Sequence, residues 1–427
     1  MPFGKHLKDS RDLMILKRYQ NTFMHKRRSV AEHMCSTAMI GQWLVILENN
    51  LFGGNVDMAE VLQRAINHNI TQSVTGNILV TTRELSKSME DSLKAVRENA
   101  YNEYIDENIP KSWRSDYRRF SLNGKDNTIE GKILATADII DTMLECIEEI
   151  NLGNVSPFKK ILDETSIKLI NIDLNSARYV LKYLLPSFGL SLDEYPNEVK
   201  TYISNIRFNM LDSELESYIK IGAYIYEYRN LMELLRYQNK FMYRRTSVVE
   251  HMWFVAKIAQ GLALWMERKF NCKVDMSNVL LRALNHDVSE RVTGDILSTT
   301  KRMTESMKHA IDEMEAVAFE EYIAISIPDS VLDEFKNYIL YPKDNTIEGR
   351  ILAAADILDT IFECAEEVKL GNTEVFNNVL VRVSESLLNV DLKSLDYFLK
   401  YSLEDIGLDI YTSYGEGLGN YIKNINL

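Results

Sequence analysis

Apolar residues along this chain recur at helical spacing in long stretches, and no segment alternates apolar with polar positions over the length of a strand. After Ser247 the run HMWFVAKIAQGLALWM is too long and too helical in period to be a strand. Residues 278–292, NVLLRALNHDVSERV, carry a second amphipathic helical pattern. Ser29-Val30-Ala31-Glu32 and Ser247-Val248-Val249-Glu250 read as capping boxes that open apolar runs. Asn345-Thr346-Ile347-Glu348 opens a further helix, which the Gly371-Asn372 pair should end. The predicted fold class is all-α. Composition agrees, since 18 glycines and 7 prolines in 427 residues fall below the usual ~7% and ~5% and leave little material for tight turns.

The pattern is written twice. RYQNTFMHKRRSVAEHM at 18–34 returns as RYQNKFMYRRTSVVEHM at 236–252, with 12 of 17 positions identical. KDNTIEGKILATAD at 125–138 returns as KDNTIEGRILAAAD at 343–356, and LGN at 152–154 as LGN at 370–372. The offset is constant: 251 − 33 = 218 and 356 − 138 = 218. A period this long means tandem domains, because solenoid repeats run ~20–50 residues. Residues 1–190 and 236–427 are expected to form two helical bundles. Residues 191–235 hold Tyr and Ile among acidic residues, so they should pack as a helical connector and not as a Gly/Ser tether. The halves would then dock within one chain as a pseudo-dimer, and the expected species is a monomer, with further oligomerisation left open.

A formal charge of −13 argues against a non-specific binder of nucleic acid polymers, which would carry a basic footprint. The first residues lack an uninterrupted apolar stretch like that of a signal peptide, and no run of ~18 apolar residues suggests a membrane span. Cys35, Cys146, Cys272 and Cys364 stand singly in helical segments and read as reduced, buried thiols. These features together predict a cytoplasmic protein with no membrane partner.

The chemistry is concentrated in the second half. His286 and Asp287 are adjacent; His251 lies 35 residues before His286, and Asp356 lies 69 after Asp287. Two imidazoles and two carboxylates make an N₂O₂ set suited to one divalent transition ion, with Mn, Co, Zn, Fe and Ni not distinguishable. Four protein ligands leave a position open for water or substrate. The plainer reading of each residue alone is a core histidine or a paired aspartate. Asp356, flanked by Ala353, Ala354, Ala355, Ile357 and Leu358, is nonetheless costly to bury without a partner, an arginine included. Glu290 follows Asp287 by three residues and His286 by four, so one helical turn brings it to the same face. It could serve as general base toward water, or simply pair with Arg291 or Lys301. Arg236, Lys240 and Arg244, spaced i, i+4, i+8, would line one helix face and attract an anion, or form a solvated basic face.

The order H…HD…D on helices resembles the HD-domain metal-dependent phosphohydrolases. From about Arg236 to Leu408 the second half is most similar to the bacterial HD-domain 5′-deoxynucleotidases. The likeness rests on Arg236-Tyr237 ahead of the first histidine, V-x-EH, HDxSExxTGD at 286–295, AD at 355–356 and E-x-x-LGN near Glu367. It implies two tandem HD-domain bundles and hydrolysis of a nucleoside 5′-monophosphate to nucleoside and phosphate. It further implies His251, His286, Asp287 and Asp356 as metal ligands and Glu290 acting on the attacking water. Arg236 would contact the nucleotide, and Asp295 would hold the sugar 3′-hydroxyl. Tyr237 stands where the family has a tryptophan that crowds out a ribose 2′-hydroxyl, which loosens the expected deoxy-selectivity. A (d)NTP hydrolase on the same fold, or a nucleotide-sensing module without turnover, are the rival readings.

The first half carries His33, His68, Asn69, Gln72, Asn77 and Asp138 at the equivalent positions. Three carboxylates (Asp287, Glu290, Asp295) have become amides there, which keeps shape and removes charge. The expectation is a catalytically inactive domain that keeps its pocket, as scaffold or as a regulatory nucleotide site.

Overall fold

Ser29 and Ser247 each accept the backbone N–H of the glutamate three residues on, while Glu32 and Glu250 take the serine N–H groups at 2.7 and 2.9 Å. Both predicted capping boxes are therefore present. The protein, seen here as a computed structural model, is described over residues 3–76, 87–296 and 304–427. Eight helices position the chemistry: α1 (Phe3–Ser10), α2 (Val30–Ile46), α3 (Met58–Ala65), α4 (Ile129–Asn151), α5 (Ile221–Tyr228), α6 (Val248–Arg268), α7 (Met276–Asn285) and α8 (Ile347–Lys369). Among the described residues the only β pairing is two isolated bridges, Lys17 with Ser29 and Leu235 with Ser247.

Helices α2, α3 and α4 pack on one another in the first half, and α6, α7 and α8 do the same in the second. The bundles meet through α2 against α6 and α3 against α7. Every residue of α2 and all of Val248–Met266 in α6 are buried, as expected of helices covered on all sides. The stretch Val30–Leu51 is long and apolar enough to cross a membrane by length and composition, but its apolar window is covered by protein throughout. The chain is thus an all-α pseudo-dimer. Its polar contacts obey the 218-residue offset: Gln42 exchanges hydrogen bonds with Asn285 (3.0 and 3.3 Å), and Asn67 donates to Gln260 (3.1 Å).

The repeated KDNTIEG segment has a local cause. Thr346 caps α8 by accepting Gly349 N–H (3.1 Å), and Asp344 accepts from Thr346 N–H (3.0 Å) and Arg282 (2.9 Å). A Cβ on Gly349 would lie 2.2 Å from Asp344 Oδ1, so the turn needs glycine. At its other end α8 stops at Gly371, φ +99°, where the sequence places its C-terminal signal.

The two terminal arms are exchanged. Helix α1 of the first half lies on the second, with the Phe3 ring 5.0 Å from Trp265 and filling the space beside Gly261. Its counterpart α5 lies on the first, with Tyr224 4.9 Å from Trp43.

Three readings of the sequence need correction. Residues 236–246 do not form a helix: Arg236 N–H bonds Thr246 O (3.0 Å), Val248 N–H bonds Leu234 O (2.9 Å), and Tyr237 takes φ +52°. A bridged loop replaces the predicted basic helix face, so Lys240 is exposed while Arg244 turns to Glu366. The helix predicted over 278–292 stops at Asn285. His286 Nδ1 takes Ala283 O (2.9 Å), the acceptor Asp287 N–H would need, and the chain tightens into turns over 286–289. Three of the cysteine thiols are buried as expected, but Cys272 is half-buried.

Lys257 sits fully buried between the halves, donating to Asn67 and lying 5.1 Å from the Tyr117 ring. Burial lowers its pKa from 10.5 to about 7. Between those values the unfolded chain binds a proton that the folded chain does not, so this residue's contribution to stability rises with pH by up to about 1.4 kcal/mol per unit. Its full penalty applies below pH 7. The equivalent position in the first half is buried Met39. Lys257→Met is expected to raise the melting temperature most at pH 6 and progressively less toward pH 10, as calorimetry at several pH values would show. A pH-independent gain would mean that the amine is not titrating in the interior.

Candidate metal centre

His251 lies on α6, while His286 and Asp287 occupy the turn after α7 and Asp356 lies on α8. The Nε2 atoms of the two histidines are 3.3 Å apart. One ligating atom from each of His251, His286 and Asp287 falls within 4.8 Å of the others. Asp287 Oδ2 is 3.3 Å from His251 Nε2 and 3.4 Å from His286 Nε2, and Asp356 Oδ1 is 3.2 Å from His251 Nε2. The histidines are almost wholly buried, whereas the Asp287 and Asp356 side chains keep 20% and 24% exposure, which makes the carboxylate side the open one.

The other ring nitrogens explain the orientation. His251 Nδ1–H donates to Asp359 Oδ2 (2.5 Å) and His286 Nδ1–H to Ala283 O (2.9 Å), so each Nε2 faces the centre. Such outer partners set the tautomer that metal-ligating histidines use. Burial lowers the His286 pKa to about 4, which leaves its Nε2 lone pair available. Burial and Arg236 oppose charge on His251, but Asp287, Asp356 and Asp359 outweigh them and hold its pKa well above the ordinary value. Burial also opposes ionisation of Asp287, and the imidazoles with Lys343 overcome it. The donor set, two imidazole nitrogens and converging ionised carboxylates, fits a borderline divalent cation.

Glu290 is buried at the start of the short helix Glu290–Thr293, with its N–H on Asp287 O (3.0 Å). It is not the surface residue of the plainer reading. Arg291 donates instead to Tyr322 O (2.6 Å), and Lys301 lies outside the described residues. Arg236 pairs with Glu363 (3.3 Å) beside the Tyr237 ring, and its Nε is buried without an acceptor. Asp295 Oδ2 accepts Tyr237 N–H (2.9 Å), which brings these two predicted substrate residues together.

Three residues escaped the sequence reading. Lys343 binds Asp356 Oδ2 at 2.5 Å, Asp359 holds His251, and Arg11 holds Asp359 at 2.8 Å. All three recur at the 218-residue offset, as Lys125, Asp141 and Arg229, and that recurrence was the available signal.

The first half repeats the scaffold. His33 and His68 present Nε2 atoms 3.3 Å apart, Asp138 Oδ1 is 2.9 Å from His33, and Lys125 binds Asp138 (2.6 Å). His33, His68 and Asp138 also converge closely enough to hold a cation. The amides close on each other, however: Asn69 Nδ2 lies 3.0 Å from His68 Nε2, and Gln72 Nε2 donates to Asn69 Oδ1 (2.9 Å). Asn77 lies outside the described residues.

The family model described as 5′-deoxynucleotidase YfbR-like matches twice, over residues 5–188 and 223–406. A 5′-deoxynucleotidase of Photorhabdus laumondii is 30% identical over 174 residues, 39% of this chain and 87% of its own length. One from Shewanella oneidensis is 25% identical over 182 residues, 43% of this chain and 92% of its own. An HD-domain phosphohydrolase structure from Listeria innocua is similar at 26% identity and a TM-score of 0.42, covering 51% of this chain and 99% of its own.

Proposed function

This chain belongs to the 5′-deoxynucleotidase YfbR-like family, and from that premise we propose that it is a metal-dependent phosphohydrolase removing the 5′-phosphate from (deoxy)nucleoside monophosphates at one site, in the second half. The observation that carries this reading is the convergence of His251, His286 and Asp287, with Asp356 set against His251 on the open carboxylate side, beside buried Glu290. The first-half copy lacks the Asp287 and Glu290 carboxylates.

His251, His286, Asp287 and Asp356 would hold the ion. When bound, a divalent ion supplies Lewis-acid polarisation of the phosphoryl group and lowers the pKa of water. The protein's own groups do the rest. Glu290 takes a proton from the attacking water as its oxygen bonds to phosphorus and the P–O5′ bond breaks; the two water protons end on the nucleoside hydroxyl and on phosphate. Arg236 Nε, a buried donor without an acceptor, would be satisfied by a nucleotide oxygen. Asp295, fixed by Tyr237 N–H, would accept the sugar 3′-hydroxyl. Tyr237 then borders the 2′ position, where a smaller ring than tryptophan excludes ribose less strictly.

Monophosphates are favoured over triphosphates because, among the described residues, Lys343 is already engaged with Asp356 and Arg244 with Glu366, which leaves Arg236 to meet the nucleotide. The test is phosphate release from deoxy- and ribonucleoside mono- and triphosphates by metal-stripped protein given Mn, Co, Zn or Mg. Metal-dependent release from monophosphates is expected, with a modest deoxy preference. No release from any monophosphate while metal is bound would sink the nucleotidase reading, and turnover of triphosphates alone would replace it.

A further inference from the structure

We infer that Arg11, a residue of the first half, is a positioning residue for the metal centre of the second; this rests on the single-site reading above. The Arg11 side chain is 1% exposed. Its Nη1 donates to Asp359 Oδ1 (2.8 Å), while Nε and Nη2 grip Glu366 Oε1 and Oε2 (2.8 and 3.2 Å). The guanidinium also lies 4.8 Å over the Phe254 ring, and Arg244 donates to the Arg11 carbonyl (2.5 Å). The second oxygen of Asp359 is the one that accepts His251 Nδ1–H. Arg11, Asp359 and His251 therefore form one buried relay that ends on a metal-facing nitrogen.

The physical content lies in the fork. A guanidinium bonded to two carboxylates has no rotational freedom, so Asp359 cannot turn, and His251 keeps its ring plane and its Nδ1–H tautomer. Without the arginine, Asp359 is a buried carboxylate missing one of its two partners, and it relaxes by moving. That movement misaims His251 Nε2.

The arrangement is reciprocal. Arg229, 218 residues on, donates to Asp141 and Glu148 (2.9 Å for Glu148), and Asp141 Oδ2 accepts from His33 Nδ1 (2.6 Å). Each first histidine is aimed by the arginine of the arm that leads into the other repeat, His251 by Arg11 and His33 by Arg229. Arg18 and Arg236, by contrast, stay within their own halves, on Glu145 and Glu363. Because only the second half keeps the reactive carboxylates, only the Arg11 arm bears on turnover. The first half thus completes the working site while its own acids are amides.

The test compares Arg11→Met with Arg229→Met in the full chain, each carrying Asp138→Asn so that only the second-half ion is read. Three readouts are needed: the melting temperature of stripped protein, Mn or Co affinity against a chelating dye, and kcat with KM. Both variants should lose similar thermal stability, since each breaks the same kind of buried ion pair. Arg11→Met alone should weaken the ion by about 10–100-fold and lower kcat with little change in KM. Arg11→Lys, which keeps the charge without the fork, should show an intermediate loss of affinity; it also carries the test if the methionine variant does not fold. Wild-type metal affinity in a folded Arg11 variant would reduce Arg11 to a structural ion pair. Weakened metal in a protein that hydrolyses no nucleotide would leave the role of Arg11 standing and overturn the nucleotidase reading instead.

Discussion

Asp287→Asn should abolish phosphate release, by about 10³-fold or more, while Asp138→Asn should leave it within about twofold. The first half already displays what the substitution does. There Asn69 turns its Nδ2 to within 3.0 Å of His68 Nε2, so an N–H points at the lone pair an ion would need. The same change at 287 would remove a negative charge that lies 3.3 and 3.4 Å from the two Nε2 atoms and put a donor in its place. Phosphate release and metal content after dialysis would be measured together, and both should fall. Among the described residues the Asp138 carboxylate pairs with His33, His68 and Lys125, all of the first half, so its loss should not reach the working centre. Comparable losses from the two substitutions would overturn the one-site reading.

The fold was legible because two signals agreed: helical spacing of apolar residues, and a repeat with an unchanging offset. The capping boxes at Ser29 and Ser247 were legible for the same reason, being local hydrogen-bond geometry written in four residues. What was not legible is where local pattern gives way to tertiary bonding. Arg236, Lys240 and Arg244 have helical spacing, yet the Leu235–Ser247 bridge pulls their segment into a loop. His286 and Asp287 sit in an apparently continuous helix, but the imidazole takes the Ala283 carbonyl and ends it. Arg11 was missed although RDLM at 11–14 returns as RNLM at 229–232. The repeat marks these residues as equivalent, but no periodicity says that each arm crosses to the other half.

Glu290→Gln separates chemistry from metal binding, and it should lower kcat by about 10²–10⁴-fold, the usual worth of a general base, with metal content and KM nearly unchanged. Gln72 is the reason to expect an intact site. It occupies the equivalent position in the first half, is equally buried, and donates to Asn69 at 2.9 Å without disturbing the His33–His68 pair. In the second half the same amide would meet Asp287, an acceptor, so the ligand stays in place and even gains a donor. What is lost is the ability to take a proton, since an amide is not a base at any working pH. The contrast with Asp287→Asn is the informative part: that variant should lose metal and turnover together, this one turnover alone. Full turnover in Glu290→Gln would remove Glu290 from proton transfer, and the base would then have to be sought among the open-sided carboxylates Asp287 and Asp356.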